Sequence, residues 1–211
     1  MNSIFKNISL KYNYKALPFQ IKTSNTFEGD IYRCVDNWYG IIPEPPEESP
    51  INYLEIGAFY GENLISFYES YYCKHKDTQI HCIDPWIDYD EYDEYKKKQD
   101  SIYNSFCTNI KNHIADENKI TVHRGFSNVE LLKLPDNHFD IIYIDANHEP
   151  EFIIEDAVLS FRKLRKGGYL IFDDYGWKDA SIGIDSFLNS YKKCYTMINP
   201  NHNTQVFIQK N

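Results

Sequence analysis

Tyr143-Ile144-Asp145-Ala146-Asn147-His148 closes an apolar run, Phe139 to Ile144, whose length and composition predict a buried strand. The strand ends in a carboxylate, and a histidine follows three residues later. Downstream, Gly168-Tyr169-Leu170-Ile171-Phe172 predicts a second buried strand, and it ends in Asp173-Asp174. A single strand ending in Asp says only that a turn or a helix cap follows. Two such strands, one with a doubled Asp and one with a histidine at plus three, predict a site. In open α/β sheets, ligands lie outside the carboxyl ends of strands, where the topology reverses. Asp145, Asp173 and Asp174 together make a hard, oxygen-rich set suited to Mg²⁺ or another divalent cation. His148 is the natural proton acceptor beside them.

Outward from this pair, strands alternate with helical stretches. Asn52–Ile56, Gln79–Ile83, Lys119–His123, Phe139–Ile144 and Tyr169–Phe172 predict strands. Glu62–Tyr72, Tyr95–Ile114, Asn128–Leu134, Glu151–Leu164 and Ser181–Tyr191 predict helices. Lys166-Gly167-Gly168 reads as a glycine stop after the fourth helix. Tyr195–Ile198 and Gln205–Ile208 flank the short turn Asn199–Asn203 and predict an antiparallel pair. The sum is an α/β chain with a three-layer, mostly parallel sheet and a C-terminal antiparallel hairpin. Pro43-Glu44-Pro45-Pro46-Glu47-Glu48-Ser49-Pro50 has linker composition, so residues 1–50 are expected as an N-terminal cap and linker, and 51–211 as the main domain. Asn37-Trp38-Tyr39-Gly40 either packs in a core or covers a pocket. The run Asp88–Tyr95, acidic and aromatic, reads as a lid or as the solvated start of a helix.

Leu54-Glu55-Ile56-Gly57-Ala58-Phe59-Tyr60-Gly61-Glu62-Asn63 has the strand, glycine turn, helix form of a nucleotide cradle. Glycine lets the backbone approach a ligand closely. The spacing is G-x-x-x-G, not the G-x-G-x-x-G of a pyrophosphate binder, which argues against a nicotinamide cofactor. Asp84, at the end of the next strand, can accept two hydrogen bonds from a ribose.

Composition narrows the class. The chain has 211 residues, 42% hydrophobic, enough for one sizeable core. No apolar run approaches the roughly 20 residues of a membrane span, and the N-terminus has no apolar leader-like stretch. Five scattered cysteines without a C-x-x-C pair fit a reducing, cytoplasmic setting rather than a disulfide or zinc framework. The net charge of −9 opposes a general nucleic-acid surface.

On these motifs the chain resembles the class I S-adenosylmethionine-dependent methyltransferases, with their Rossmann-like sheet, over about residues 51–210. Within them it is similar to the metal-dependent small-molecule O-methyltransferases. Leu54–Asn63 looks like the first motif of the catechol O-methyltransferase group, and Gly125-Phe126-Ser127 like that group's adenine-contacting turn. Asp140–Tyr175 is closer to the sugar and macrolide-sugar O-methyltransferases and to a related group named after cephalosporin hydroxylase, which carry Asp-x-x-His and an acidic pair after strand five. The resemblance implies that Glu55, Gly57, Gly61 and Asn63 line the methionine end of S-adenosylmethionine. Phe59 and Asp145 would also lie against the cofactor, Asp84 on the ribose and Ser127 near the adenine. It implies Asp145, Asp173 and Asp174 as metal ligands and His148 as the catalytic base, with Asp145 beside it at the reacting centre. Tyr175 and Trp177 would border the acceptor, although Trp177 could equally just pack. Catechol enzymes have a lysine in place of His148 and usually asparagine in place of Asp174. Those departures, with the Asp88–Tyr95 insertion, move the expected acceptor from a catechol to a sugar or nucleotide sugar.

The chemistry fits those groups. A sugar hydroxyl holds its proton at neutral pH, so a metal that binds it and an imidazole that takes the proton both lower the barrier. Three carboxylates leave about three octahedral positions, which a vicinal diol and a water would fill. The alternatives are a catalytically idle methyltransferase fold serving as a scaffold, or a methyltransferase for phenols or an RNA 2′-hydroxyl. An iron oxygenase is not supported, because no 2-His-1-carboxylate set is evident. No membrane or nucleic-acid partner is expected, and the aromatic N-terminal segment is a candidate homo-oligomer contact.

Overall fold

A computed structural model describes residues 26–29, 38, 41–42, 49–69, 77–199 and 204–211. Most of the linker, Cys34, Cys73 and the turn at 200–203 lie outside the described residues, as do residues 70–72 at the end of the first expected helix. The described elements are β1 (Asn52–Ile56), α1 (Glu62–Phe67), β2 (Gln79–Asp84), α2 (Gln99–His113), β3 (Ile120–Arg124) and α3 (Ser127–Lys133). They continue with β4 (Phe139–Ile144), α4 (Pro150–Lys163), β5 (Leu164–Phe172), α5 (Lys178–Tyr191), β6 (Tyr195–Met197) and β7 (Val206–Lys210).

The seven strands form one sheet in the order β3-β2-β1-β4-β5-β7-β6. β1 to β5 run parallel, and β7 is antiparallel to both β5 and β6. The order runs outward from β1 through β2 to β3, then restarts on the other side with β4. The reversal therefore falls between β1 and β4, whose carboxyl ends carry Gly57 and Asp145. The strand expectation of a mostly parallel sheet with an antiparallel C-terminal pair holds, with β7 inserted beside β5 rather than at the edge.

Strand side chains alternate between two faces, and each face has its own core. Tyr53, Ile80, Cys82, Ile141, Tyr143, Ile171 and Phe207 join Phe67 of α1 and Phe106 and Ile110 of α2. Leu54, Ile83, Ile142, Ile144, Leu170, Phe172 and Val206 join Ile153 and Phe161 of α4 and Ile184 and Phe187 of α5. Each of these large side chains contributes about 1.5–3 kcal/mol by its burial. Trp38, Ile41 and Ile42, from the segment expected as a cap, are buried in the first core. Trp38 thus packs, and its indole N–H donates to Gln205.

Three elements start elsewhere than expected: α2 begins at Gln99, after a separate 3-10 turn at Asp93–Tyr95, α5 begins at Lys178, and β5 begins at Leu164. Leu164 to Gly168 is strand, not helix end, because Leu164 pairs with Phe139 and the register then shifts before Ile141 meets Tyr169. The irregularity absorbs Lys166-Gly167, where Gly167 has φ 76°. The glycine pair marks a bulge entering β5.

Candidate active site at the β4 and β5 carboxyl ends

The turn after β1 is shaped by its neighbour. Gly57 has φ 85°, and a Cβ there would stand 1.9 Å from the Asp145 carbonyl oxygen. Only glycine lets the β1 turn run this close to β4, so that the two strand ends form one shelf of backbone. Phe59, Trp86 and Asp174 also have positive φ, at 45°, 44° and 54°. They follow β1, β2 and β5, so three of the five described non-glycine residues with positive φ lie at the carboxyl end of the sheet.

Asp84 sits across this shelf. Its Oδ2 accepts the Ala58 and Phe59 N–H groups, both at 2.9 Å, and its Oδ1 accepts the Trp86 N–H at 2.8 Å. Three of a carboxylate's roughly four acceptor positions are thus taken by backbone, leaving room for one of the two ribose hydrogen bonds expected of it. The Trp86 indole donates to the Phe59 carbonyl at 3.0 Å, which ties the two turns together. Burial pushes the Asp84 carboxyl up, against the pull of those N–H donors.

Glu55 and Asn63 lie beneath the shelf rather than in it. Glu55 is 1% exposed, and its Oε2 accepts from the Tyr53 hydroxyl at 2.5 Å and the Asn63 amide at 2.9 Å. Desolvation pushes the Glu55 carboxyl up to about 8, with those donors opposing. The Asn63 Oδ1 is buried without a hydrogen-bond partner among the described residues. Gly61, φ 82°, packs against Phe106. Ser127 donates to Asp156 of α4, a buried carboxyl that desolvation pushes up to about 7.

At the other half of the site, Asp145, His148 and Asp174 offer ligand atoms within 4.8 Å of one another. They border a small cleft with Ile144, Ile153 and Phe172. His148 is gripped from both sides. Its Nδ1 is 2.5 Å from Glu91 Oε1 and its Nε2 is 2.7 Å from Asp174 Oδ2. Ionised carboxylates only accept, so both ring nitrogens carry protons in this arrangement. Burial disfavours the cation, but the hydrogen bond to Asp174 and the charge of Glu91 outweigh it and push the imidazole up to about 9. Asp145 is pushed far up by desolvation and by the charges of Asp173 and Asp174, with His148 pulling back.

All three expected aspartates line the cleft, with the Tyr143 hydroxyl donating to Asp145 at 3.1 Å and to Asp173. Asp173 accepts that short hydrogen bond from Tyr143 and a second from the Asp174 N–H at 2.9 Å. Asp174 turns to the His148 side. The Tyr175 hydroxyl donates to Asp185 of α5 at 3.1 Å, so that side chain follows the helix. Trp177, 48% exposed, stands 4.7 Å from the His148 ring, and Tyr92 packs edge-on to both. Glu91 and Tyr92 were not singled out individually by the sequence. They come from the Asp88–Tyr95 run, and their only sequence signal was its acidic and aromatic character.

A family described as a methyltransferase domain matches residues 54–175, from β1 to just past the acidic pair. The chain belongs to this methyltransferase family. Its architecture is that of the class I S-adenosylmethionine-dependent methyltransferases. An uncharacterized protein of Acanthamoeba polyphaga mimivirus, R132, is 30% identical over 131 residues, 61% of this methyltransferase and 53% of that protein. The chain therefore spans about half the length of that curated relative. Among solved structures, the O-methyltransferase NovP is similar at TM-score 0.59 and 17% identity, covering 77% of this chain and 72% of its own. TomG of Streptomyces achromogenes, an O-methyltransferase involved in tomaymycin synthesis and solved with S-adenosylmethionine, gives 0.57 and 13%, covering 100% and 91%. The Podospora anserina methyltransferase PaMTH1, solved with the demethylated cofactor, gives 0.53 and 18%, covering 76% and 71%. At these identities the likeness is one of fold. No helix among the described residues is long and apolar enough to cross a membrane.

Proposed function

We propose that this methyltransferase moves a methyl group from S-adenosylmethionine to a hydroxyl of a small molecule, a sugar or nucleotide sugar, with a divalent cation and with His148 as the base. The observation that carries the reading is the Glu91–His148–Asp174 alignment beside Asp145, at the strand ends next to the Gly57 shelf.

The shelf fits the cofactor. Gly57 lets the β1 turn lie against β4, Asp84 retains an acceptor position, and the Asn63 Oδ1, without a hydrogen-bond partner among the described residues, is a buried acceptor beneath the same turn. S-adenosylmethionine supplies an activated methyl, so the residues have only to bind, orient and deprotonate the acceptor. Asp145 and Asp174 would hold a divalent cation, whose chemistry is to lower the hydroxyl's pKa. Two carboxylates are enough for Mg²⁺, which keeps several waters for a substrate to displace. For His148 to act as the base, its Nε2 proton must first pass to solvent when a cation takes its place at Asp174; Nε2 would then take the hydroxyl proton, while Nδ1–H stays on Glu91. That carboxylate fixes the tautomer and stabilises the imidazolium that forms. Trp177 and Tyr92 offer aromatic faces on which a sugar ring can stack. The acidic run from Asp88 and the net charge of −9 disfavour RNA.

The test is His148→Ala with a panel of glycosides and phenols, scored by release of demethylated cofactor. Turnover should fall by about 10²–10⁴-fold, the usual contribution of a general base, with cofactor binding intact. Unchanged turnover removes His148 from the reaction.

A further inference from the structure

The charge around the cleft is one-sided. Residues 88–98, 145–151 and 173–179, the segments that bring in Glu91, His148 and Asp174, carry eleven carboxyls against four lysines and no arginine, a formal charge of −7. Lys96 is already paired with Asp90 at 2.9 Å and with Asp93 at 2.8 Å. A bound divalent cation would leave the region negative. The two helices that start there offer an anion little. α4 opens with Pro150, which has no N–H, and Glu151 and Asp179 stand in the first turns of α4 and α5. Aromatic rings lie among these acids. Tyr92 packs edge-on to Trp177 at 6.4 Å and to Tyr89 at 6.0 Å, and Trp177 is half-exposed. Burial, then the charges of Glu91 and Asp174, push the Tyr92 phenol up, so that ring stays neutral. Glu91 adds an acceptor: its Oε2 is buried without a hydrogen-bond partner among the described residues, while its Oε1 meets His148.

We infer that the acceptor carries a protonated amino group beside its hydroxyls: an amino sugar or similar amino polyol, and not a sugar phosphate or nucleotide sugar. The inference narrows the proposed function and rests on its acceptor site. An ammonium over Trp177 or Tyr92 is drawn to the negative face of the ring. It also brings the N–H donors that the free Glu91 oxygen lacks. The surrounding carboxylates raise its local concentration. A phosphate or diphosphate brings further negative charge into the same field. Its usual partners are arginine forks, lysines and free helix N–H groups, and this cleft has no arginine and an acid in the first turn of each helix. The negative field also keeps the amino group protonated, so it anchors the acceptor and the hydroxyl remains the nucleophile.

The experiment uses the full chain with S-adenosylmethionine and Mg²⁺, read by release of demethylated cofactor. It compares three matched sets of acceptors: hexoses, the corresponding hexosamines, and the corresponding hexose phosphates and uridine diphosphate hexoses. At low salt a hexosamine should exceed its parent hexose in kcat/KM by about tenfold, and the phosphorylated members should fall below the hexose. Raising the ionic strength from about 0.01 M to about 0.15 M should shrink both differences. Glu94→Lys combined with Asp179→Lys, two exposed positions outside the catalytic groups, should cut the preference severalfold and leave turnover of the neutral hexose as in wild type. A hexose or a phosphorylated member turned over as well as its hexosamine overturns this inference alone. So does a preference that neither salt nor the charge reversal moves. No turnover in any set overturns the sugar acceptor itself, and the inference with it.

Discussion

Glu55 lies at the end of β1 with its carboxylate sealed between Tyr53 and Asn63. Its ordinary carboxyl value of 4.5 is pushed to about 8, chiefly by desolvation. The folded chain therefore keeps a proton that the unfolded chain gives up. Stability from this group is fully present below about 4.5 and is lost as pH rises toward 8. Asp156, pushed to about 7 by desolvation, acts in the same direction. The melting temperature of the ligand-free chain should fall between pH 5 and 8, and Glu55→Gln should shrink that fall. Parallel curves for the two chains would refute a buried, protonated Glu55. At this scale much of the site was legible. Asp145, His148 and Asp174 stood out because two apolar runs ended in acid. Glu91 was not legible, because nothing local links it to a histidine 57 positions away.

The elements were legible to the extent that periodicity reports burial. β1 and β4 have their expected bounds, since short apolar runs flanked by turns leave little choice. β5 begins earlier than expected because pairing with Phe139 overrides the helix-stop signature of Lys166-Gly167-Gly168. The acidic Asp88–Tyr95 run had no periodicity to read. Its path is set by tertiary contacts: Asp88 accepts the Lys97 N–H, Glu91 meets His148, and Tyr95 packs on Phe59. The α4–α5 contact positions the far wall of the site. Gly183 of α5 faces Pro150 and Ile153 of α4, where an added Cβ would stand 2.9 Å from the Pro150 carbonyl oxygen and from the Ile153 Cβ. Gly183→Val forces these helices apart and should destabilise the chain by about 1–3 kcal/mol through overpacking. A thermal or urea melt checks this, and an unchanged midpoint would mean that the helices do not pack as closely as described.

Across the whole molecule, two cores on opposite faces of one sheet converge on a single functional end. The first core takes in Trp38, Ile41 and Ile42, so the described part of the N-terminal segment is continuous with the fold that builds the site. The linker composition of residues 43–50 gave no hint of this, because composition reports local chain stiffness and not where the flanking aromatics are buried. The central claim is that the Gly57 shelf takes S-adenosylmethionine and that the acids beside it take a divalent cation. Thermal unfolding of the chain with S-adenosylmethionine or its demethylated product, each with Mg²⁺ and with chelator, tests both at once. A ligand at 100 times its Kd should stabilise by about 2.7 kcal/mol, a rise of about 5–10 °C for a domain of this size. The account predicts that rise with cofactor and a further rise with Mg²⁺ that chelator removes. No shift with either cofactor form would contradict it.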